Sequence, residues 1–352
     1  MIVLIFRSVL RRKIGNIMKK RYKVILIIVL LVAFAGGGIF AFYRSGGENI
    51  RQKPQKMMQE WKGKAYTDEL VYQGTEYKYR SDMINVLCMG IDKEEVMWER
   101  DDDGGSIGQA DMVLLLSVDL TKKQIRIINI PRDTMVSIVT CDPDGNPTGA
   151  FEGQLTLQYA YADGQERSCA LMTQQVADLF WNEVPINGYI AMNLSGIGIL
   201  NDAVGGVTIQ MNDDYTLYNE KFTKGATVTL HGHEAQQYVQ GRDITTAGSA
   251  YARIDRQKQY MRAFIGQAKS AWKKNPLLPI RVLQDLTDDL ETNLTLQEMF
   301  YLGMHAVNYD ITDENMYILQ GNIEKEGRYE AYYLDNDSLQ EMIINLFYEP
   351  VE

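Results

Sequence analysis

The chain has 352 residues, enough for one large domain or two medium ones with appendages, and 45% are hydrophobic, an ordinary share for a chain that buries a core. The net charge of −10 hides an asymmetry: residues 1–43 carry eight basic side chains and no acid, leaving 28 basic against 46 acidic groups beyond them. A body that acidic repels nucleic-acid phosphates, which argues against DNA or RNA as a partner.

Residues 1–23 read as a basic cytoplasmic N-terminus, with Arg7, Arg11, Arg12, Lys13, Lys19, Lys20, Arg21 and Lys23. Val24–Tyr43 follows, twenty residues without a charge, long enough at about 1.5 Å per residue to span a bilayer as one transmembrane helix. Basic residues precede it, so the N-terminus is expected in the cytoplasm and everything past Tyr43 outside the cell. A cleaved signal peptide ending near Ala33-Phe34-Ala35 is the alternative, but the apolar run continues past that point, which favours a retained anchor. Met18-Lys19-Lys20-Arg21 also resembles the start of such a segment, so either Met1 or Met18 fits as the first residue.

Residues 44–80 divide into a polar, charged stretch suited to an extracellular stalk and an entry hairpin, Leu70–Tyr72 and Thr75–Arg80 around Gln73-Gly74. Residues 81–352 are expected to form the main folded domain. Met83–Ile91 is a nearly continuous apolar run, the pattern of a strand buried on both faces. Met112–Asp119 and Gln124–Ile130 give two further strands, the second running into Pro131-Arg132-Asp133-Thr134. Helical spacing marks Cys169–Trp181, Gly232–Val239 and Ile254–Trp272, with strand patterns at Tyr189–Leu194 and Met316–Leu319 between and beyond them. Strands alternating with helices predict a three-layer α/β/α sandwich around a central mixed sheet, preceded by the membrane helix. Cys88, within a strand, reads as a small core residue. Cys141 and Cys169, each beside polar, turn-like sequence outside the membrane, are expected to form a disulfide.

Chemistry-bearing residues gather at the predicted strand ends. Asp92 follows one strand, Asp111 opens the next, and Arg132-Asp133 end a third, where crevices form in α/β sheets. Carboxylates so placed suit Mg2+, a hard cation that takes oxygen ligands; taken singly, each Asp also fits a helix cap or turn. Far along the chain, Arg242, Asp243, Arg253, Arg256 and Gln257 form a second cluster. Arg253, Arg256 and Gln257 share one face at a helix start, and cations crowding that end oppose the helix dipole unless an anion offsets them. Arginine forks match phosphate oxygens, so an anionic phosphate ligand is the reading; a solvated surface is the alternative. His231-Gly232-His233-Glu234 lacks a metal-binding helix geometry, and there is neither a GxSxG elbow nor a Walker lysine motif.

The order of these pieces resembles the LytR–CpsA–Psr family: NVLCMGID at Asn85–Asp92, Ala110-Asp111, IPRDT at Ile130–Thr134, NDAVGGV at Asn201–Val207, LHGHEAQQY at Leu230–Tyr238 with Arg242, and ARIDRQKQ at Ala252–Gln259. The resemblance implies a phosphotransferase, Mg2+-dependent, that attaches a teichoic acid, capsular polysaccharide or similar glycopolymer from a polyprenyl-pyrophosphate carrier to peptidoglycan at the outer face of the cytoplasmic membrane. It implies Asp92 and Asp111 as metal ligands. Arg132, Arg242, Arg253 and Arg256 would hold the pyrophosphate with Gln257 beside them, and Asp133 would orient an arginine or assist the accepting hydroxyl. Arg132, Asp133 and Arg253 are thus the expected catalytic set, beside a groove for the prenyl chain. Three positions depart from the pattern: Gln109 and Gln240, where the family carries arginine, and Ala250, where it carries aspartate. A binding protein or envelope-related regulator with a weakened site is the competing expectation.

Overall fold

The computed structural model describes residues 40–57, 66, 68–94, 107–142, 146–241, 249–275, 278–309, 311–326 and 329–351. The first helix, α1, covers residues 40–57. A hairpin follows, β1 (Glu69–Tyr72) and β2 (Thr75–Tyr79), and then β3 (Met83–Ile91), β4 (Ala110–Asp119), β5 (Gln124–Asn129), β6 (Met135–Cys141) and β7 (Pro147–Gln154). A 3-10 helix at Leu155–Tyr161 leads to α2 (Glu166–Leu179), β8 (Gly188–Met192), α3 (Leu194–Ala203), β9 (Val207–Gln210), β10 (Thr227–Leu230), α4 (His233–Gln240) and α5 (Ser249–Lys274). The chain ends with α6 (Leu278–Asp285), β11 (Leu290–Thr292), α7 (Leu296–Ala306), β12 (Met316–Ile318), β13 (Gly321–Glu326), β14 (Tyr329–Leu334), α8 (Asn336–Phe347) and β15 (Tyr348–Pro350).

Six strands build the central mixed sheet in the order β11-β8-β3-β4-β5-β12. β3 runs antiparallel to β4 and parallel to β8, and β5 runs antiparallel to β4 and parallel to β12. The ends of β3, β5, β8 and β12 and the starts of β4 and β11 therefore share one edge. Alternation along the strands divides the core into two faces. Leu87, Met89, Ile91, Val113 and Leu115 pack with α2 and α8, whereas Ile84, Val86 and Val118 pack with Ile50 of α1 and Tyr301 of α7. Helices on both faces give the expected layered α/β fold. A second apolar cluster joins β9, β10, α4 and one side of α5 around Phe222 and Tyr238. At the edge of the sheet opposite the shared strand ends, buried Asp119 accepts from Arg80 at 2.8 Å and from Arg126 at 2.9 Å.

Two expectations are corrected. Within the expected stalk, residues 44–57 are helical and belong to the folded body. Ile50 is fully buried, Asn187 donates its amide to the Ile50 carbonyl at 2.9 Å, and Lys53 pairs with Glu298 at 2.6 Å. Composition concealed this because Gly46, Gly47 and Pro54 stand at buried positions of the helix where bulkier apolar residues would have shown the stripe. The disulfide is also absent: Cys88, Cys141 and Cys169 are all free thiols. Cys169 faces inward from α2 into the main core, whereas Cys141 ends the β6–β7 hairpin, so the two stand in separate environments. Burial pushes the Cys88 thiol up to about 12. Among the described residues no helix is long and apolar enough to cross a membrane, and residues 24–39 of the expected anchor lie outside them.

Candidate active site

The IPRDT segment owes its shape to a turn. Ile130 is buried in the core, and both the Thr134 amide (3.0 Å) and hydroxyl (2.6 Å) donate to the Pro131 carbonyl. Thr134 is buried by this closure, leaving Arg132 and Asp133 at the sheet edge. Across the edge, the Gln109 carbonyl accepts from the amides of both Asp92 and Asp111 at 3.0 Å, and the Gln109 amide donates to Asp92 Oδ1. One residue thereby fixes the two carboxylate-bearing positions beside each other. Gly108 precedes it at φ +87°, and a Cβ there would meet Ile91 Cγ2 at 2.7 Å, so this approach requires glycine.

Arg132 links the two halves. Its Nη1 pairs with Asp111 Oδ1 and its Nε lies 3.6 Å from Asp133 Oδ1. Among the described residues the other amino group of the fork has no partner, which leaves it open to an anion. Thr156 donates its hydroxyl to Asp111 at 3.4 Å and its amide to the Arg132 carbonyl at 3.0 Å. Gln154 donates to Asp133 at 3.0 Å and to the Glu330 carbonyl at 2.9 Å. Gln154, Thr156 and Glu330 were missed at the level of sequence. No motif surrounds them, and only the fold of the β6–β7 hairpin and the adjoining β14 carries them to this edge.

Burial raises the Asp92 carboxyl, and the charge of Asp111 adds to that rise. Asp133 is likewise raised by burial, lowered by Arg132, pushed up by Glu330 and Asp111, and drawn down by Arg253. Arg253 is thus near enough to act on Asp133 although 120 residues separate them and it belongs to α5.

The neighbouring residues of α5 point elsewhere. Arg256 is 1% exposed; its Nε donates to the Tyr238 carbonyl at 3.0 Å, an amino group donates to the Gly241 carbonyl, and its guanidinium lies 4.7 Å over the Tyr215 ring. Gln257 donates to the Val239 carbonyl at 3.1 Å. Both side chains therefore satisfy carbonyls at the negative C-terminal end of α4, where a cation is favoured. Arg256 and Gln257, expected beside a pyrophosphate, thus brace α4 on α5 in this structure. Arg242 and Asp243 lie outside the described residues, as does the side chain of Ala250. Gln240 ends α4 exposed to solvent.

Asp92 and Asp111 suit a Mg2+ in one respect: two carboxylates whose mutual repulsion already raises one of them offer oxygen ligands to a hard cation that keeps waters and phosphate oxygens as the rest of its shell. Among the described residues no group of three or more acidic, histidine or cysteine side chains is placed to enclose a metal.

A mixed α/β sandwich with an arginine–carboxylate crevice at its strand ends describes the molecule at the level of class. Residues 46–347 match the LytR_cpsA_psr family, and the chain belongs to that family. It is 27% identical over 295 residues to the polyisoprenyl-teichoic acid–peptidoglycan teichoic acid transferase TagU of Bacillus cereus, covering 83% of this chain and 85% of that protein. A protein of the same description from Oceanobacillus iheyensis is 28% identical over 282 residues, 77% of this chain and 78% of the relative. Among solved structures, the Lin1025 protein of Listeria innocua superposes with a TM-score of 0.51 at 25% identity, over 74% of this chain and 95% of that one. TagT bound to LI-WTA has the same fold, with a TM-score of 0.54 at 21% identity over 75% and 89% of the two chains.

Proposed function

We propose that this protein is a membrane-anchored, outward-facing phosphotransferase that moves a glycopolymer from a polyprenyl-pyrophosphate carrier to peptidoglycan. The observation that carries the reading is the Arg132–Asp133–Asp111 group at the strand ends, where the charge of Arg253 also bears on Asp133. One guanidinium at this group and the charge of a second bearing on it suit a diphosphate, whose oxygens accept paired N–H donors. In the reaction, a sugar hydroxyl of peptidoglycan attacks the phosphorus bonded to the glycopolymer and polyprenyl monophosphate leaves. Asp133, its carboxyl raised by burial, is placed to take the hydroxyl proton, and Arg132 and Arg253 offset the charge on the phosphoryl oxygens. Asp92 and Asp111 are the residues that would hold Mg2+, which when bound adds positive charge against those oxygens.

Apolar surface beside the site supports a prenyl-linked donor. On the sheet face turned toward α1 and α7, Cys88, Leu116, Ile190 and Met192 are only partly buried and Met112, beside Asp111, is exposed. These apolar side chains line a strip that starts at the crevice. The relatives named as teichoic acid transferases support the same reading, with teichoic acid as the polymer class.

The test is transfer by the full chain in a bilayer, from a polyprenyl-pyrophosphate glycopolymer to peptidoglycan. Arg132→Ala and Arg253→Ala should each lose about a hundredfold or more in rate, the scale of removing one charge-stabilising donor, while exposed Arg281→Ala keeps it. Attachment at the wild-type rate by both crevice variants would sink the proposal. Gln109, standing where the family carries arginine, favours a second reading: a protein that binds the lipid-linked polymer without transferring it. Donor binding with no turnover, restored by Gln109→Arg, would select it.

A further inference from the structure

We infer that the face built by α1 and α7 is the surface on which the folded domain rests on the lipid bilayer; this depends on the reading that residues 24–43 anchor the chain. The first observation is an apolar stripe that the described residues leave uncovered. Leu296, Phe300 and Met304 recur at every fourth position of α7, on the side opposite buried Glu298 and Tyr301, and Leu296 and Met304 are 55% and 40% exposed. Phe40 and Phe42 extend the stripe onto α1, the Phe42 ring standing 5.8 Å from that of Phe300, and Phe40 is 64% exposed. A contiguous apolar patch on an otherwise acidic domain marks an interaction surface.

The second observation concerns where the chain enters. Phe40–Tyr43 are the last residues of the uncharged run that begins at Val24, and they are already helical as part of α1. That helix is held against α7: the Tyr43 hydroxyl is hydrogen-bonded to His305 Nε2 at 3.0 Å, and Arg51 donates to the Tyr301 hydroxyl at 2.8 Å. The point where the apolar run meets the domain is thus fixed beside the exposed stripe. A run embedded in lipid would hold the stripe at the lipid surface.

Charge supplies the third. The only acids of α1 and α7, Glu48 and Glu298, are paired with Arg44 at 2.8 Å and Lys53 at 2.6 Å. Lys56 is exposed on α1. The last turns of α5 meet α7 where the Trp272 indole packs against Gly303, and they add exposed Lys273 and Lys274, with Lys269 donating to the Tyr309 carbonyl. A domain with excess negative charge therefore presents, around this one apolar stripe, lysines, arginines and an indole. That combination, with a contiguous apolar stripe at its centre, matches the headgroup region of an anionic bilayer.

The test uses the full chain with Cys141→Ser, reconstituted in vesicles of equal parts phosphatidylcholine and phosphatidylglycerol. A nitroxide is placed at Met304→Cys, at Leu296→Cys or, as the reference, at exposed Ile323→Cys on β13. Labels at 304 and 296 should be several-fold less accessible to a water-soluble nickel chelate than the label at 323, and more accessible to oxygen. The inference is overturned if the protein floats with the vesicles but all three labels meet the chelate equally. Protein that fails to float overturns the anchor reading instead, and the two failures are told apart by flotation alone.

Discussion

At Arg256, two N–H groups reach the carbonyls of Tyr238 and Gly241, whereas Arg253, one helical turn earlier, acts on Asp133. Their replacements should separate cleanly. Arg256→Met removes two charge-assisted hydrogen bonds worth about 1.5–3 kcal/mol each, so its unfolding midpoint should fall sharply. Arg253→Met should melt near the wild type yet fail in transfer; equal melting of the two variants would overturn the assignment of Arg256 to structure. Asp119, fully buried between Arg80 and Arg126, is a second structural charge, and its arginine partners hold its carboxyl below the usual range against its burial. Asp119→Asn leaves two buried guanidiniums without their shared partner, a loss of about 3–5 kcal/mol in chemical denaturation. Because the folded carboxyl titrates below the unfolded one, that contribution is complete above the unfolded value of about 3.9 and fades as pH falls through the lower, folded value. The gap between wild type and Asp119→Asn should accordingly be flat above about pH 5 and narrow in acid. Thiol labelling offers a further check: the folded protein should alkylate at Cys141 and not at buried Cys169, with three thiols per chain after denaturation.

Among the elements, α1 shows how packing can override composition. Gly47 lies where a Cβ would sit 2.6 Å from the Tyr301 ring, so the close approach of α1 to α7 depends on an absent side chain. Gly47→Val should force the helices apart at a cost of about 1–3 kcal/mol, and amide exchange across residues 40–57 should accelerate. Unchanged exchange there would mean that α1 docks without that contact. The β6–β7 hairpin escaped the sequence reading for a related reason. The PTGAFEGQ segment carries two glycines and a proline and lies almost entirely exposed, so no alternation of apolar residues announces a strand. β3, by contrast, was legible end to end because both its faces are buried.

For the whole molecule, the charge asymmetry about Val24–Tyr43 leads to a topological expectation. Protease added to intact, wall-stripped cells should digest the body beyond residue 43; protection until the membrane is breached would reverse the orientation. The one-edge gathering of strand ends places the candidate site at one end of the sheet. The Asp119 cluster closes the other, and α1 and α7 flank one face between them.

The alternation of strands and helices, the apolar N-terminal run and the strand-end positions of Asp92, Asp111, Arg132 and Asp133 could all be read from residue order alone. Each depends on local periodicity or on a turn of four residues. That Arg256 of α5 turns into the core could not be read that way. Arg253, Arg256 and Gln257 share a helical face, and only the positions of α4 and of the Tyr215 and Tyr218 rings turn Arg256 inward. The second ring of residues at the crevice, Gln154, Thr156 and Glu330, likewise exists only once hairpins distant in sequence are folded onto the sheet. A side chain's hydrogen-bond partners are set by tertiary packing, whereas its place on a strand or helix is set by its neighbours in sequence, and that difference divides what this sequence determined from what its fold decided.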